Sequence, residues 1–366
     1  VIAEDGHTYE KEAITKWVKE KGTSPKTRER IGNMFFTNWD KKSQIAEFFD
    51  ENKLCSQAAF IAAVKKGNVE EVKQLNYLDD YLEAKDDKGL TPLHIAAQSE
   101  QSEMVIFLLN QGANIEAKTN RGGYTPLHLA VSNETIVDTL LKAGAKINAQ
   151  TDYDWNALHI AAAKGYLATC KLLVQKEINL EAINVHNDTA LLNAAMNGQL
   201  AVAEFLINAG ARIEKTSTVA NCNALYVAID GGHIMCAKLL IEQGVNLECP
   251  YITGTDPLQD AASRGYTELV EILLNKGAQL QTNGWVGKTP LHMAAANNHE
   301  ATVSLLLAAG ALTEARDAAN SDTPLHFAAA GGQLASAKLL IKYQANLEAK
   351  NNNGYTPLHL AAAKGQ

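Results

Sequence analysis

The feature that most constrains this chain is a seven-residue phrase that returns at a nearly fixed step. Thr91-Pro92-Leu93-His94-Ile95-Ala96-Ala97 comes back as Thr125-Pro126-Leu127-His128-Leu129-Ala130, and its register restarts at Asn156, Thr189, Asn223, Asp256, Thr289, Thr323 and Thr356. The steps are 34, 31, 33, 34, 33, 33, 34 and 33 residues. A degenerate copy, Gln57-Ala58-Ala59-Phe60-Ile61-Ala62-Ala63, lies 34 residues before the first clear one. That makes ten units, the last ending after its first helix. A period of this size means small units that stack on their neighbours, not one globular core.

Each unit repeats the same physical grammar. Thr and Pro open a helix, with Pro where a missing N–H costs nothing. Leu and the Ala pair form a narrow apolar face that lets helices approach closely. A glycine such as Gly165, Gly232 or Gly265 then suits a helix end with positive φ. A second apolar helix follows, as in Leu172-Leu173-Val174, and Gly-Ala pairs such as Gly210-Ala211 end it. A finger rich in Asn, Asp and Gly completes the unit. The short step after Thr125 is expected to shorten the turn between helices near Ser132-Asn133-Glu134.

This grammar closely resembles the ankyrin repeat, over about 310 residues. The resemblance implies a mostly α chain, an ankyrin-repeat α-solenoid. Residues 54–90 read as a junction and a degenerate capping repeat, and 91–366 as about nine further repeats. The bulk composition agrees: 46% of residues are apolar and 20% charged, ordinary for a folded protein.

Six histidines share one place in the phrase: His94, His128, His159, His292, His326 and His359. One ion cannot gather side chains a repeat apart, so the expected role is an imidazole bonding a neighbouring turn, and no metal site is expected. Where the place holds Leu192, Tyr226 or Gln259, the bond is expected to be lost and those units to be softer. Glutamates recur at finger ends, among them Glu83, Glu116, Glu181, Glu214, Glu248 and Glu314. Stacking makes them a column, read as a solvated face partly neutralised by Lys85, Lys118, Arg316 and Lys350, or else as a stripe steering a basic partner.

The first fifty residues do not share the repeat. They run Glu4-Asp5-Gly6-His7-Thr8-Tyr9-Glu10, then Ala13-Ile14 and Trp17 at helical spacing. Thr23-Ser24-Pro25-Lys26-Thr27-Arg28 follows, then Asn38, then a second amphipathic stretch through Ile45, Phe48 and Phe49. In order and spacing residues 1–53 resemble a U-box, the small α+β, RING-like but zinc-free module of ubiquitin ligases. No cysteine precedes Cys55, so zinc ligation of the RING kind is excluded. The U-box's first loop is missing, because Val1 begins inside the motif. An upstream segment is therefore expected. Leu54-Cys55-Ser56 is expected to make a semi-rigid junction.

The two resemblances together imply a ubiquitin-protein ligase without a nucleophile of its own. Pro25 matches the loop proline that touches the ubiquitin-conjugating enzyme (E2), Arg28 the residue linking that enzyme to its ubiquitin, and Trp17 lies on the helix between the loops. Such a ligase works by proximity and by holding one reactive pose. The array would choose a protein substrate on its concave face, with Tyr124, Tyr153, Trp155 and Trp285 as substrate-binding anchors. A U-box homodimer and an effector acting in a host cell cytosol are further expectations. The alternative is an ankyrin protein-interaction scaffold with an inactive U-box remnant.

Charge and cysteines bound the setting. Residues 1–53 carry ten Lys/Arg and ten Asp/Glu, so the net charge of -8 lies entirely downstream. An acidic array argues against nucleic acid as partner. Five scattered cysteines without a Cys-x-x-Cys pair suggest reduced thiols and a cytoplasmic, reducing compartment. No apolar run approaches the ~20 residues of a membrane span. No cofactor-binding motif is found, so none is expected.

Overall fold

Seven to nine residues are too few for a helix to persist alone in water, so the repeats must build helices that packing completes. The computed structural model describes residues 57–74, 81–218, 222–248, 254–282, 284 and 287–366. The chain forms two compact bodies, Val1–Asp152 and Tyr153–Gln366. The first contains a helix over residues 57–66 and the helix Val69–Lys73. The pairs Pro92–Gln98 with Ser102–Asn110 and Pro126–Leu129 with Glu134–Lys142 follow. The second contains the pairs Ala157–Lys164 with Leu167–Gln175, Ala190–Met196 with Leu200–Asn208, Ala224–Asp230 with Ile234–Glu242, Pro257–Arg264 with Thr267–Asn275, Pro290–Ala296 with Glu300–Ala308, and Pro324–Ala330 with Leu334–Lys342, then Pro357–Ala363. Among the described residues there is no strand.

Within each body, first helices pack on first helices and second helices on second helices. The alanine pairs make this close approach possible: Ala96, Ala97, Ala161, Ala162, Ala261 and Ala262 are fully buried. The leucine of the phrase anchors the seam, with Leu93 and Leu225 at 0% exposure. Burying one leucine contributes roughly 1.5–3 kcal/mol, which over many repeats offsets the ordering of short helices. In the second body one continuous core runs from Leu192 to Ala345.

Helix ends follow the reading of the sequence. Gly165 and Gly265 close first helices at φ 79° and 73°. Some units reach the same left-handed region without glycine. Glu100 and Asn298 do so after first helices, at φ 58° and 59°. Glu177 and Gln344 do so after second helices, at 61° and 62°.

The 31-residue unit departs from expectation. Its missing residues come out of the first helix, Pro126–Leu129, which has four residues where the others have seven or eight. The turn is not shortened. Asn133 recaps the second helix by accepting from the Thr135 and Ile136 N–H groups at 3.1 and 3.2 Å. That cap satisfies donors at the start of the second helix, Glu134–Lys142.

The U-box reading of residues 1–53, with Trp17, Pro25 and Arg28, lies outside the described residues. So do the junction at Leu54-Cys55-Ser56 and Trp285.

Candidate protein-interaction face

The side chains available to a partner are those left after the stack has used what it needs. The histidines are used. In the phrase opening at Thr91, the His94 Nδ1 accepts from the Thr91 N–H at 3.2 Å and lies 2.7 Å from its hydroxyl. His94 Nε2 reaches the Tyr124 carbonyl of the next finger at 2.9 Å. A carbonyl only accepts, so the proton sits on Nε2 and Nδ1 is the acceptor. The same pair of bonds recurs at His292, to Thr289 and the Asp322 carbonyl at 3.0 Å, and at His326, to Thr323 and the Tyr355 carbonyl at 3.0 Å. A second proton on Nδ1 would confront the backbone N–H. Burial likewise pushes the pKa of His94, His159 and His292 down.

The deviant units correct the sequence reading. Gln259 keeps both bonds: its Oε1 accepts from the Asp256 N–H at 2.9 Å and its Nε2 donates to the Lys288 carbonyl at 2.5 Å. The carboxamide and the ε-protonated imidazole both pair an acceptor with a donor on a short stem, so they serve the same position. Tyr226 keeps a link forward, with its hydroxyl 3.2 Å from the Thr255 Oγ1. Only Leu192 gives up both.

The glutamate column is neither a free solvated face nor a free stripe. Each glutamate reaches forward and accepts a backbone N–H from the following finger. Glu83 takes Asn114 at 2.7 Å, Glu116 takes Lys146 at 2.7 Å, Glu214 takes Asn246 at 2.9 Å and Glu314 takes Asn346 at 2.8 Å. The basic residues two places on do not neutralise this ladder; they extend it. Lys85 Nζ donates to the Lys118 carbonyl at 3.0 Å, Lys118 Nζ to the Gln150 carbonyl at 3.1 Å, and Arg316 Nη1 to the Lys350 carbonyl at 2.8 Å.

The aromatic anchors divide. Tyr124 belongs to the first body and is half-buried, its ring edge-on to His128 at 6.2 Å. Trp155, in the second body, is half-buried with its ring 6.1 Å from that of His159. Both lean on the histidine of their own unit. Tyr153 does stand outward, at 57% exposure. The Val185 N–H donates to its carbonyl at 3.2 Å. This brings two finger tips together, with Val185 and Ile183 also exposed. Sequence reasoning missed Ile183 and Val185, because aliphatics in a polar finger look like core until their exposure is known.

Sequence reasoning also missed a row on the first helices. One turn into six first helices of the second body stand Ile160, Asn193, Val227, Asp260, Met293 and Phe327, of which Asn193 and Val227 are buried and the other four half-buried. Lys288 Nζ lies 4.8 Å over the Phe327 ring, and His292 meets that ring edge-on at 5.5 Å. Arg264 bridges repeats by pairing with both Asp230 and Asp260. Burial raises the pKa of Asp260, against the pull of Arg264. Asn193 is 2% exposed, and its Nδ2 has no partner.

In the first body a cleft of about 320 Å³ opens between the helix 57–66 and the finger residues Lys85, Asp86 and Asp87, crossed by a Lys65–Asp86 ion pair at 3.3 Å. Among the described residues no group of three or more His, Cys, Asp or Glu is placed to hold a metal ion. No described helix is long and apolar enough to cross a membrane.

Comparison with known proteins matches this geometry. The family description "Ankyrin repeats (3 copies)" matches residues 42–119, 59–151, 149–217, 188–251, 225–317 and 291–366. The chain is 39% identical to the B-cell lymphoma 3 protein homolog of Mus musculus over 115 residues, 31% of this chain and 26% of that protein. It is 30% identical to the nuclear factor NF-kappa-B p105 subunit of Gallus gallus over 265 residues, 69% of this chain and 26% of that protein. The chain thus spans about a quarter of the length of these relatives. Among solved structures it resembles the human ASB11 ankyrin repeat domain, with TM-score 0.52 and 30% identity over 57% of this chain and 93% of that one.

Proposed function

The chain belongs to the ankyrin-repeat family, and from that premise we propose that its function is to hold another protein on the face made by fingers and first helices. One observation carries this. The recurrent polar side chains of the phrase are spent inside the stack, while Tyr153, Ile183 and Val185 stay exposed at the finger tips. Exposed aromatic and aliphatic side chains at the tips of a rigid array are what a binding hot spot requires. The test is a Tyr153→Ala, Val185→Ser double variant against a captured partner. Affinity is expected to fall at least about tenfold with the urea midpoint unchanged. Unchanged affinity would sink the finger-tip reading.

A second reading is favoured by the U-box resemblance of residues 1–53: a ligase in which Trp17, Pro25 and Arg28 recruit a ubiquitin-charged conjugating enzyme and the array selects the substrate. Such a chain would transfer ubiquitin without forming a covalent intermediate itself. Incubation with activating enzyme, a panel of conjugating enzymes and tagged ubiquitin tests it. Conjugates lost in both Pro25→Ala and Arg28→Ala would establish the ligase. No conjugates with any conjugating enzyme would leave the scaffold alone. We also place the protein in a reducing compartment. Supporting this, Cys170 and Cys236 are buried thiols, the former with a pKa pushed by burial up to about 12, which suits inert core residues and not disulfide partners.

A further inference from the structure

We propose that the unit from Glu181 to Asn208 is the opening point of the second body: the place where its stack comes apart locally while the units on either side stay folded. This goes beyond the interaction reading and does not depend on it. The first ground is a set of groups that folding leaves unsatisfied. Among the described residues, three buried side-chain atoms without a hydrogen-bond partner fall within residues 181–193: Glu181 Oε2, Asp188 Oδ1 and Asn193 Nδ2. Among the described residues no other unit holds more than one. A buried polar group without a partner regains bonds to water when its surroundings open. Each of the three therefore lowers the free energy of opening this unit in particular.

A later unit of the same body shows what is missing. Asp322 stands where Asp188 stands, directly before the Thr that opens a first helix. Its Oδ1 accepts from Asn351 Nδ2 of the following finger at 2.8 Å. The place of Asn351, three residues after the finger glutamate, is held behind Asp188 by Ser217. Ser217 turns its hydroxyl to the His186 carbonyl at 3.3 Å. Asp188 keeps only Asn184 Nδ2, on its other oxygen at 3.2 Å. Glu181 likewise ties one oxygen to the Arg212 N–H at 2.8 Å and leaves the second without a donor. Asn193 is 2% exposed, and its place one repeat on is held by Val227, whose side chain needs no partner.

A second, independent feature lies in the same unit. Leu192 stands in the place of the imidazole. It is 1% exposed, so the unit keeps its apolar burial, but leucine offers neither an acceptor to the Thr189 N–H nor a donor to the next finger. Apolar burial is non-directional, whereas the paired bonds of an imidazole fix helix against finger. Forward ties remain in the finger and at the helix end. Asn187 Nδ2 donates to the Thr216 carbonyl at 2.7 Å, and His233 Nε2 donates to the Met196 carbonyl at 3.0 Å. Ile183 and Val185 belong to the finger that runs into Thr189. Opening here loosens those exposed tips, so the stability of this one unit sets how firmly they are presented.

The experiment is hydrogen–deuterium exchange of the full chain, read by mass spectrometry and corrected for sequence. The pair Ala190–Met196 with Leu200–Asn208 should exchange at least about tenfold faster than Pro290–Ala296 with Glu300–Ala308 in the same body. Two variants test the cause. Asn193→Val copies Val227, and Ser217→Asn offers Asp188 the donor that Asn351 gives Asp322. Each should slow exchange in the first pair by about threefold or more and leave the second pair unchanged. Slowing in either variant, confined to that unit, upholds the proposal. Wild-type pairs that exchange alike overturn it whatever the variants do. So does a difference that neither variant reduces, because the unpartnered groups are then not its source. No partner is needed, so failure here leaves the interaction reading standing. Failure of the Tyr153→Ala, Val185→Ser test likewise leaves this proposal standing.

Discussion

In the repeats of His94, His128, His159, His292 and His326, one imidazole closes its own helix and ties that helix to the next finger. In the three middle repeats the same place holds Leu192, Tyr226 and Gln259. The comparison separates what a residue is from what a position needs. The position needs an acceptor for the capping N–H and a donor for a carbonyl about a repeat away. Histidine meets both needs, and so does glutamine. Tyrosine meets the forward one in altered form, and leucine meets neither. These middle units are also where the first-helix face becomes polar, with Asn193, Asp230 and Asp260.

The largest way to break this comparison is His292→Leu. It leaves the buried Thr289 N–H without its acceptor and takes one of two donors from the Asp322 carbonyl, which keeps the Asp317 N–H at 3.0 Å. The expected loss is about 2–3 kcal/mol by urea unfolding, while Leu192→His, where the structure has adapted to leucine, should change stability by less than about 1 kcal/mol. Equal effects at both places would refute the two-job account. Next comes the glutamate ladder: Glu214→Ala removes an exposed but charge-assisted bond to the Asn246 N–H and should cost about 1 kcal/mol. A loss that vanishes in high salt would mean that Coulomb steering, and not the bond, was measured.

A gain is expected at Glu177, which sits at φ 61° after a second helix where most other repeats place glycine, as at Gly210 and Gly277. Glu177→Gly should raise stability by about 0.5–1 kcal/mol, and a differential scanning trace that moves down would contradict it. The smallest effect belongs to His292→Gln, which copies the arrangement at Gln259 and should stay within about 0.5 kcal/mol at neutral pH. Its signature lies in acid. Burial holds the folded pKa of His94, His159 and His292 below the ordinary 6.5. Above 6.5 both states are neutral and the contribution is complete. Below it the unfolded chain takes up protons that the folded chain refuses, so stability falls as pH falls. The urea midpoint should therefore drop between about pH 7.5 and pH 5.5, and drop less in His292→Gln.

Much of this is legible in the residues. The period, the Thr cap, the Pro at the first helical position and the structural role of histidine all follow from local chemistry that each unit states for itself. The glutamates are legible as a column but not as a ladder, because their acceptor role depends on a backbone N–H in the following finger. The short unit differs from its sequence expectation for a similar reason. The number of missing residues is plain from the spacing, but Asn133 can recap the chain anywhere within reach, and packing settles the helix end at Leu129. Tyr124 and Trp155 stand out in the sequence as aromatics near the motif, yet which way a ring leans is set by its neighbours in space.

The sequence by itself determined the unit: its length, its helix starts, its glycine corners and the face it must bury, since those are properties of a few adjacent residues repeated many times. Only the tertiary structure decided which side chains the stack consumes and which it leaves exposed, such as Tyr153, Val185 and Asp230. The physical reason is that a hydrogen bond about thirty residues away, or a ring over another repeat's cation, exists only once the units are laid side by side.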